Sequence, residues 1–407
     1  MEIFIAGGAV RDILMGYKPK DIDYVVVGSN HDEMISKGFK QVGIDFPVYL
    51  HPSTGDEYAL ARVERKTATG YNGFSCETMG VTLIQDLSRR DLTINSMAIR
   101  LENWEEFQHT RNPKFVIDPF NGQVDLILEV LSHTSEAFCE DPIRVLRTAR
   151  FSARYNFVVS IETKKLMRKI VHELNHVPHD RIWIEFQKGL MENHAYKMIE
   201  VLRDVHAFNV DIMKPFYRNE IVWNNQNRCN LLAHAEHIIH LPSRFALISA
   251  DFEPEEFKTH RIPVDCVKMS NVIDKFGAIL SSFHKLTATM RLQAIMELKA
   301  TQRPEFIRHV MNVVDVIYGT QDNCAREQLF QDLQAISTVD AAAIASECQK
   351  GSEVKEKLWI ARLEAMNIAD ELAKTQEEIL KPVSSPIYDD RWVYECDSML
   401  DPYYQGE

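Results

Sequence analysis

The sequence predicts an α+β protein, a head of mixed strand and helix followed by helix alone. Residues 1 to about 135 alternate short apolar runs of strand length with helical segments. From Ser135 onward that alternation stops and long helical spacings take over, in Glu140 to Ser152, Ile161 to Leu174, Asp180 to Met191, Ala195 to Val205 and an amphipathic stretch from Glu353 to Ala373. At 407 residues the chain exceeds one typical core. The expected divisions are a head over 1–135, a helical neck over 136–220, a helical body over 221–345 and a helical tail over 346–407.

The head opens on Ile3-Phe4-Ile5-Ala6, an apolar run ended by Gly7-Gly8, which reads as a buried strand entering a tight turn. Glycines let backbone N–H groups approach a phosphate closely. The helical spacing of Val10-Arg11-Asp12-Ile13-Leu14 opens that turn at a helix N-terminus, where the dipole favours an anion, and Arg11 adds a positive fork. After a break at Gly16-Tyr17-Lys18-Pro19, Asp21-Ile22-Asp23-Tyr24-Val25-Val26-Val27 reads as a strand whose period of two puts Asp21 and Asp23 on one face. Two carboxylates so placed can share divalent ions. Taken singly, a Gly-Gly pair is usually a turn and Asp-x-Asp a solvated or capping pair. In this order and at this distance they point to metal-dependent nucleotidyl transfer.

Further along, Asn103 to Lys114 is a polar insertion between two apolar runs and reads as an exposed loop. Asp141, Arg144, Arg147 and Arg150 recur every third residue beside Pro142 at a helix start, which gathers them on one helical face. A carboxylate and a guanidinium can together address the edge of a base, one accepting and the other donating in a planar fork. A salt-bridged helix face accounts for the same arginines.

The glycine turn and the Asp21/Asp23 pair are followed, in order, by Arg89-Arg90-Asp91-Leu92-Thr93-Ile94-Asn95, Asp118-Pro119-Phe120-Asn121-Gly122, Glu140-Asp141-Pro142-Ile143-Arg144-Val145-Leu146-Arg147 and Asp180-Arg181-Ile182-Trp183-Ile184-Glu185. This series resembles the polymerase-β-like nucleotidyltransferases, specifically the class II tRNA nucleotidyltransferases and bacterial poly(A) polymerases, closely over the first 220 or so residues and loosely beyond. The resemblance implies a nucleotidyltransferase head with a mixed β-sheet, followed by an all-α neck, body and tail. It implies that Asp21 and Asp23 are catalytic and hold two Mg²⁺ ions, and that Gly8 and Arg11 lie at the bound nucleotide. Asp141 and Arg144, supported by Glu140, would act as a protein template for CTP or ATP, with Arg90, Arg147 and Arg150 helping to bind it. The Asp180–Glu185 motif would be mainly structural. A third carboxylate, if present, falls nearest to Asp91 or Glu57 by motif position.

Which RNA product is made rests on finer features of the same resemblance. Val42-Gly43-Ile44-Asp45-Phe46-Pro47-Val48 matches CCA-adding members, whereas poly(A) polymerases carry a basic pair where Ile44 and Asp45 stand. Asp56 to Lys66, with Thr67 to Phe74, resembles the flexible element used in switching from CTP to ATP, and reads equally as a polar β-edge and loop. CCA addition to tRNA is therefore the expectation, ahead of poly(A) synthesis or a non-catalytic RNA-binding relative.

Composition bounds the setting. There is no apolar run of membrane-spanning length, and the chain begins on a strand and not on a signal peptide, so a cytoplasmic protein with no membrane partner, a monomer or homodimer, is expected. Its seven cysteines form no C-x-x-C pair and read as reduced. The net charge of −13 is unusual for an RNA binder, but local fields decide, and basic clusters occur at Arg89-Arg90, Arg144 to Arg154 and Lys164-Lys165 with Arg168-Lys169. The acidic segment Ile387 to Glu407 reads as an extended tail. Many relatives carry a histidine-aspartate phosphohydrolase domain after the neck. Here Arg244 to Phe252 puts Ala250 where that histidine should stand, so the body reads as a degenerate version without the activity. His234, His237 and His240 recur every third residue on an expected helix and read as solvated or packed and not as ligands.

Overall fold

A computed structural model gives the fold and describes residues 1–42, 48–66, 74–217, 228–249, 261–319 and 323–380. The expected α+β architecture is what it adopts. The head is a six-stranded mixed sheet. Its centre is the apolar run β1 (Glu2–Ala6), antiparallel to β2 (Asp23–Val27) on one side and to β8 (Ala98–Arg100) on the other. The strand β5 (Glu57–Leu60) joins β2 in parallel, and β4 (Val48–Leu50) and β3 (Lys40–Val42) extend the sheet antiparallel. A hairpin of β6 (Val63–Lys66) and β7 (Phe74–Glu77) and a parallel pair of β9 (Val130–Leu131) and β10 (Val158–Val159) stand apart from it.

Strand alternation divides the core between the two faces of the sheet. Ile5 and Ile99 pack with Val10 and Ile13 of α1 (Gly8–Leu14) and with Trp104 and Phe107. Phe4, Ala6, Val25 and Ala98 pack on the other face with Leu87 of α3 (Leu83–Ser88). The remaining head helices are α2 (His31–Ser36), α4 (Trp104–Thr110) and α5 (Gly122–Leu128). Asp118 accepts the Gly122 and Gln123 N–H groups at 2.7 and 2.9 Å, which starts α5. A Cβ on Gly122 would stand 2.4 Å from the Thr93 carbonyl oxygen, so glycine is what lets α5 lie against that turn.

Three expectations are corrected. Asn103 to Lys114 is not an exposed loop: it holds α4, because Trp104 and Phe107, 8% and 0% exposed, are three apart and drop into the core behind their polar neighbours. Hydrogen-bonded pairing in β2 begins at Asp23 and not at Asp21, which precedes the strand. His234, His237 and His240 are not on a helix, since the helix there ends at Ala233. The buried Arg244 side chain donates to the carbonyls of Ile238 and Glu236 at 2.6 and 3.1 Å, and a continuing helix would consume those acceptors.

The stretch expected as the neck holds α6 (Arg144–Tyr155), α7 (Ile161–Ile170), α8 (His179–Leu190) and α9 (Ala195–Asp204), with α6 packed on both α8 and α9. Residues Glu136–Glu140 form a 3-10 turn and α6 starts only at Arg144, so Asp141, expected on the same helical face as the arginines, instead precedes the helix in extended backbone. The helices Leu241–Ser249, Val264–Ser281 and Pro304–Tyr318 pack together beyond it. The described residues form two compact units: those of Met1–Ser282 with Arg303–Ala325, and Phe283–Gln302 with those from Arg326 to Leu380. In the second, helices Ala288–Leu298, Cys324–Ser337 and Gly351–Leu380 meet at buried Arg291, which donates to Asp332 (2.7 Å) and Asp370 (2.6 Å). The features read at Gly43 to Pro47, Thr67 to Gly73, Ala250-Asp251 and Ile387 to Glu407 lie outside the described residues.

Candidate active site

The turn after β1, the start of α1, residues 89–91 just past α3 and one face of α6 line a cleft of about 430 Å³. Eight arginines line it (Arg11, Arg89, Arg90, Arg144, Arg147, Arg150, Arg154 and Arg181) against three aspartates, Asp23, Asp91 and Asp141. The cleft collects Gly8, Arg11, Asp23, Arg90, Asp141, Arg144, Arg147 and Arg150 from the residues expected at a nucleotide site. Asp21 is exposed and does not line it.

The floor is the glycine turn. Gly7 has φ +81°, and a Cβ there would stand 2.6 Å from Arg90 Nη1, so the turn takes no larger residue while Arg90 crosses it. Arg90 is braced by buried Asp86 at 3.4 Å, and its Nε is buried with no hydrogen-bond acceptor. Burial alone would raise Asp86, but the charges of Arg89 and Arg90 hold its carboxyl below the ordinary range. Asp23, opposite Ala6 in the sheet, projects from the face that carries Phe4 and Val25. Among the described residues neither Asp21 nor Asp23 has an ion-pair partner. One step along the β2–β5 register sets exposed Glu57 opposite Asp23.

The walls are held by a continuous chain of charge. Arg11 donates to Asp12 at 2.7 Å and to the Asn95 side-chain oxygen. Asn95 donates to Asp91 at 3.0 Å, Arg147 donates to Asp91 at 2.8 Å, and Glu185 of α8 lies 3.9 Å from Arg147 and 2.7 Å from Arg150. Burial pushes Asp91 up, but the Arg147 charge, the Asn95 hydrogen bond and the Arg144 charge outweigh it and leave the carboxyl at about 2. Asp91 lines the cleft, yet its oxygens serve Arg147, Asn95 and the Leu92 N–H. Arg147 and Arg150 are ion-paired, as a salt-bridged helix face requires, and both line the cleft.

Arg144 donates to the carbonyls of Ala137 (2.8 Å) and Arg89 (2.6 Å), tying neck to head. Asp141 pairs at 3.2 Å with Arg181, a residue read from sequence as structural. Sequence reasoning also passed over Asn95, Phe151 and Arg154 as site residues. Arg154 continues the α6 face, and a spacing of four after Arg150 was the signal for it. Among the described residues it makes no hydrogen bond or ion pair and lies 5.3 Å from the Tyr155 ring centroid. Burial pushes the Tyr155 phenol up to about 12, so it stays a donor to Asp12 (3.4 Å).

Glycine turn, strand-borne carboxylate and arginine-lined wall define a nucleotidyltransferase head, and residues 3–132 match the Poly A polymerase head domain family. Residues 156–212 match the family described as the probable RNA and SrmB-binding site of polymerase A. A Multifunctional CCA protein from Neisseria meningitidis serogroup C / serotype 2a is 38% identical, over 89% of this chain and 95% of its own. A CCA-adding enzyme solved in complex with CTP has the same fold, with a TM-score of 0.62 at 21% identity over 94% of this chain and 92% of its own. The Thermotoga maritima CCA-adding enzyme, solved with a tRNA, gives a TM-score of 0.61 at 21% identity over 92% and 91%. The chain belongs to the class II CCA-adding tRNA nucleotidyltransferases.

Proposed function

We propose that this enzyme completes the 3′ end of tRNA by adding C, C and A from CTP and ATP without a nucleic-acid template, releasing pyrophosphate at each step. The observation that carries the reading is the arginine-lined cleft closed at one end by the glycine turn and Asp23. The curated relative named for CCA agrees with it. In the reaction the terminal ribose hydroxyl of the RNA attacks the α-phosphorus of the bound nucleotide in line with the departing pyrophosphate, and the protein contributes mainly position and charge. Arg90, whose Nε lacks an acceptor among the described residues, and Arg154, without an ion pair among them, are the donors best placed to take triphosphate oxygens. Arg11, Arg147 and Arg150 add positive potential from fixed positions. Asp141 accepts from the base, with Arg144 and Arg181 beside it.

Asp21 and Asp23 fit Mg²⁺, because both are hard oxygen donors, exposed and without cationic partners among the described residues. When bound, Mg²⁺ lowers the pKa of the attacking hydroxyl and neutralises charge on the leaving oxygen. The reading places the enzyme in the cytoplasm with its RNA.

The test is incubation of the chain with a tRNA lacking its 3′ end, Mg²⁺ and labelled CTP, ATP or both, read as product length on a sequencing gel. Two C residues and one A, then a stop, are expected. A long ladder from ATP alone would establish poly(A) synthesis instead. Replacing Asp21 and Asp23 together by Ala is expected to cut incorporation by at least about a thousandfold while tRNA affinity persists. Lost incorporation with lost tRNA binding would mean the carboxylates serve the fold.

A further inference from the structure

Phe151 is the aromatic ring in a cleft otherwise walled almost entirely by charge. It lies on α6, is 5% exposed, and has three guanidinium groups gathered about it. The central carbons of Arg150, Arg11 and Arg147 stand 4.6, 5.4 and 5.7 Å from its centroid. Two of these arginines come from α6 and the third from α1 at the glycine turn, so the ring joins the two walls of the cleft. Like charges so close repel. Asp12, Asp91 and Glu185 offset this from the outer side of each arginine. The ring offers a different kind of support, since the negative face of its quadrupole attracts cations within about 6 Å. Tyr155 extends the support: its ring lies parallel to that of Phe151 at 5.9 Å, with Arg11 5.1 Å from its centroid.

We propose that Phe151 is a positioning residue for nucleotide binding, its ring holding the guanidinium groups of Arg11, Arg147 and Arg150 as one array toward the triphosphate. This rests on the reading of the cleft as the nucleotide site. Leucine and methionine fill similar space without a π face, whereas tyrosine retains the face. The experiment is steady-state C and A addition by the full chain carrying Phe151→Leu, Phe151→Met or Phe151→Tyr, with thermal melting of each. The ringless variants are expected to raise KM for both CTP and ATP about tenfold, the scale of one or two cation–π contacts, while kcat and the KM for tRNA stay near wild type. Phe151→Tyr is expected to keep the wild-type KM.

A purely structural role would lower the melting temperature and kcat and leave both nucleotide KM values unmoved. That result, or a Tyr variant as impaired as Leu, overturns the proposal. Should one ringless variant fail to fold, the other carries the test. Wild-type protein that incorporates no nucleotide overturns the reading of the site itself, whereas an active wild type with an indistinguishable Leu variant overturns the role of Phe151 alone.

Discussion

Asp91 shows how one buried carboxylate organises a cationic site. It is 7% exposed, receives Arg147, Asn95 and the Leu92 N–H, and is held at about 2. Its folded value lies below the ordinary carboxylate value, so the stability it contributes is fully present above about pH 4 and is lost as pH falls toward 2. Asp91→Asn is expected to cost about 2 kcal/mol at pH 7 and to flatten the acid limb of stability between pH 4 and 2. Urea unfolding across that range measures both; an unchanged acid limb would show that Asp91 is not a principal contributor. The residues that sequence could place were those sharing a local period, such as Arg144, Arg147 and Arg150 on α6. Arg181 could not be placed that way, because only packing of α8 against α6 brings it to Asp141 across 40 positions.

At the scale of elements, local pattern failed where long-range burial overrode it. Trp104 and Phe107 sit among Glu105, Glu106 and Gln108, so the segment reads as polar, yet these two side chains decide its fate by entering the core. Long-range contacts also bury Arg291, a charge on an apolar helix. Its partners Asp332 and Asp370 lie on two other helices, and a Gln328 amide donates to both carboxylates at 3.1 and 3.0 Å. Arg291→Met would leave Asp332, 0% exposed, without its cation. The expected loss is about 3 to 5 kcal/mol, seen in thermal unfolding of the full chain. A loss below about 1 kcal/mol would mean that the network stabilises no more than an exposed pair does.

At the scale of the molecule, a net charge of −13 coexists with a cleft in which arginines outnumber aspartates eight to three. Position outweighs sum, since a charge acts over about a Debye length. The body carries the other prediction at this scale. With Ala250 in place of the expected histidine, purified protein is expected to show no Ni²⁺-stimulated hydrolysis of 2′,3′-cyclic phosphates. Robust hydrolysis would refute this. His240 instead stacks on His309 at 3.8 Å and bonds Ser243, as a packed histidine does.

The sequence by itself determined the α+β order of elements, the glycine turn with Asp23 beside it, and the arginine face of α6. Each is a short-range pattern whose spacing matches the period of a strand or helix. Tertiary structure alone decided which arginines of the cleft are braced by carboxylates. It also set Asp141 beside Arg181 and enclosed Phe151 with three guanidinium groups from two elements. Those facts depend on contacts between residues far apart in the chain, and no local period encodes them.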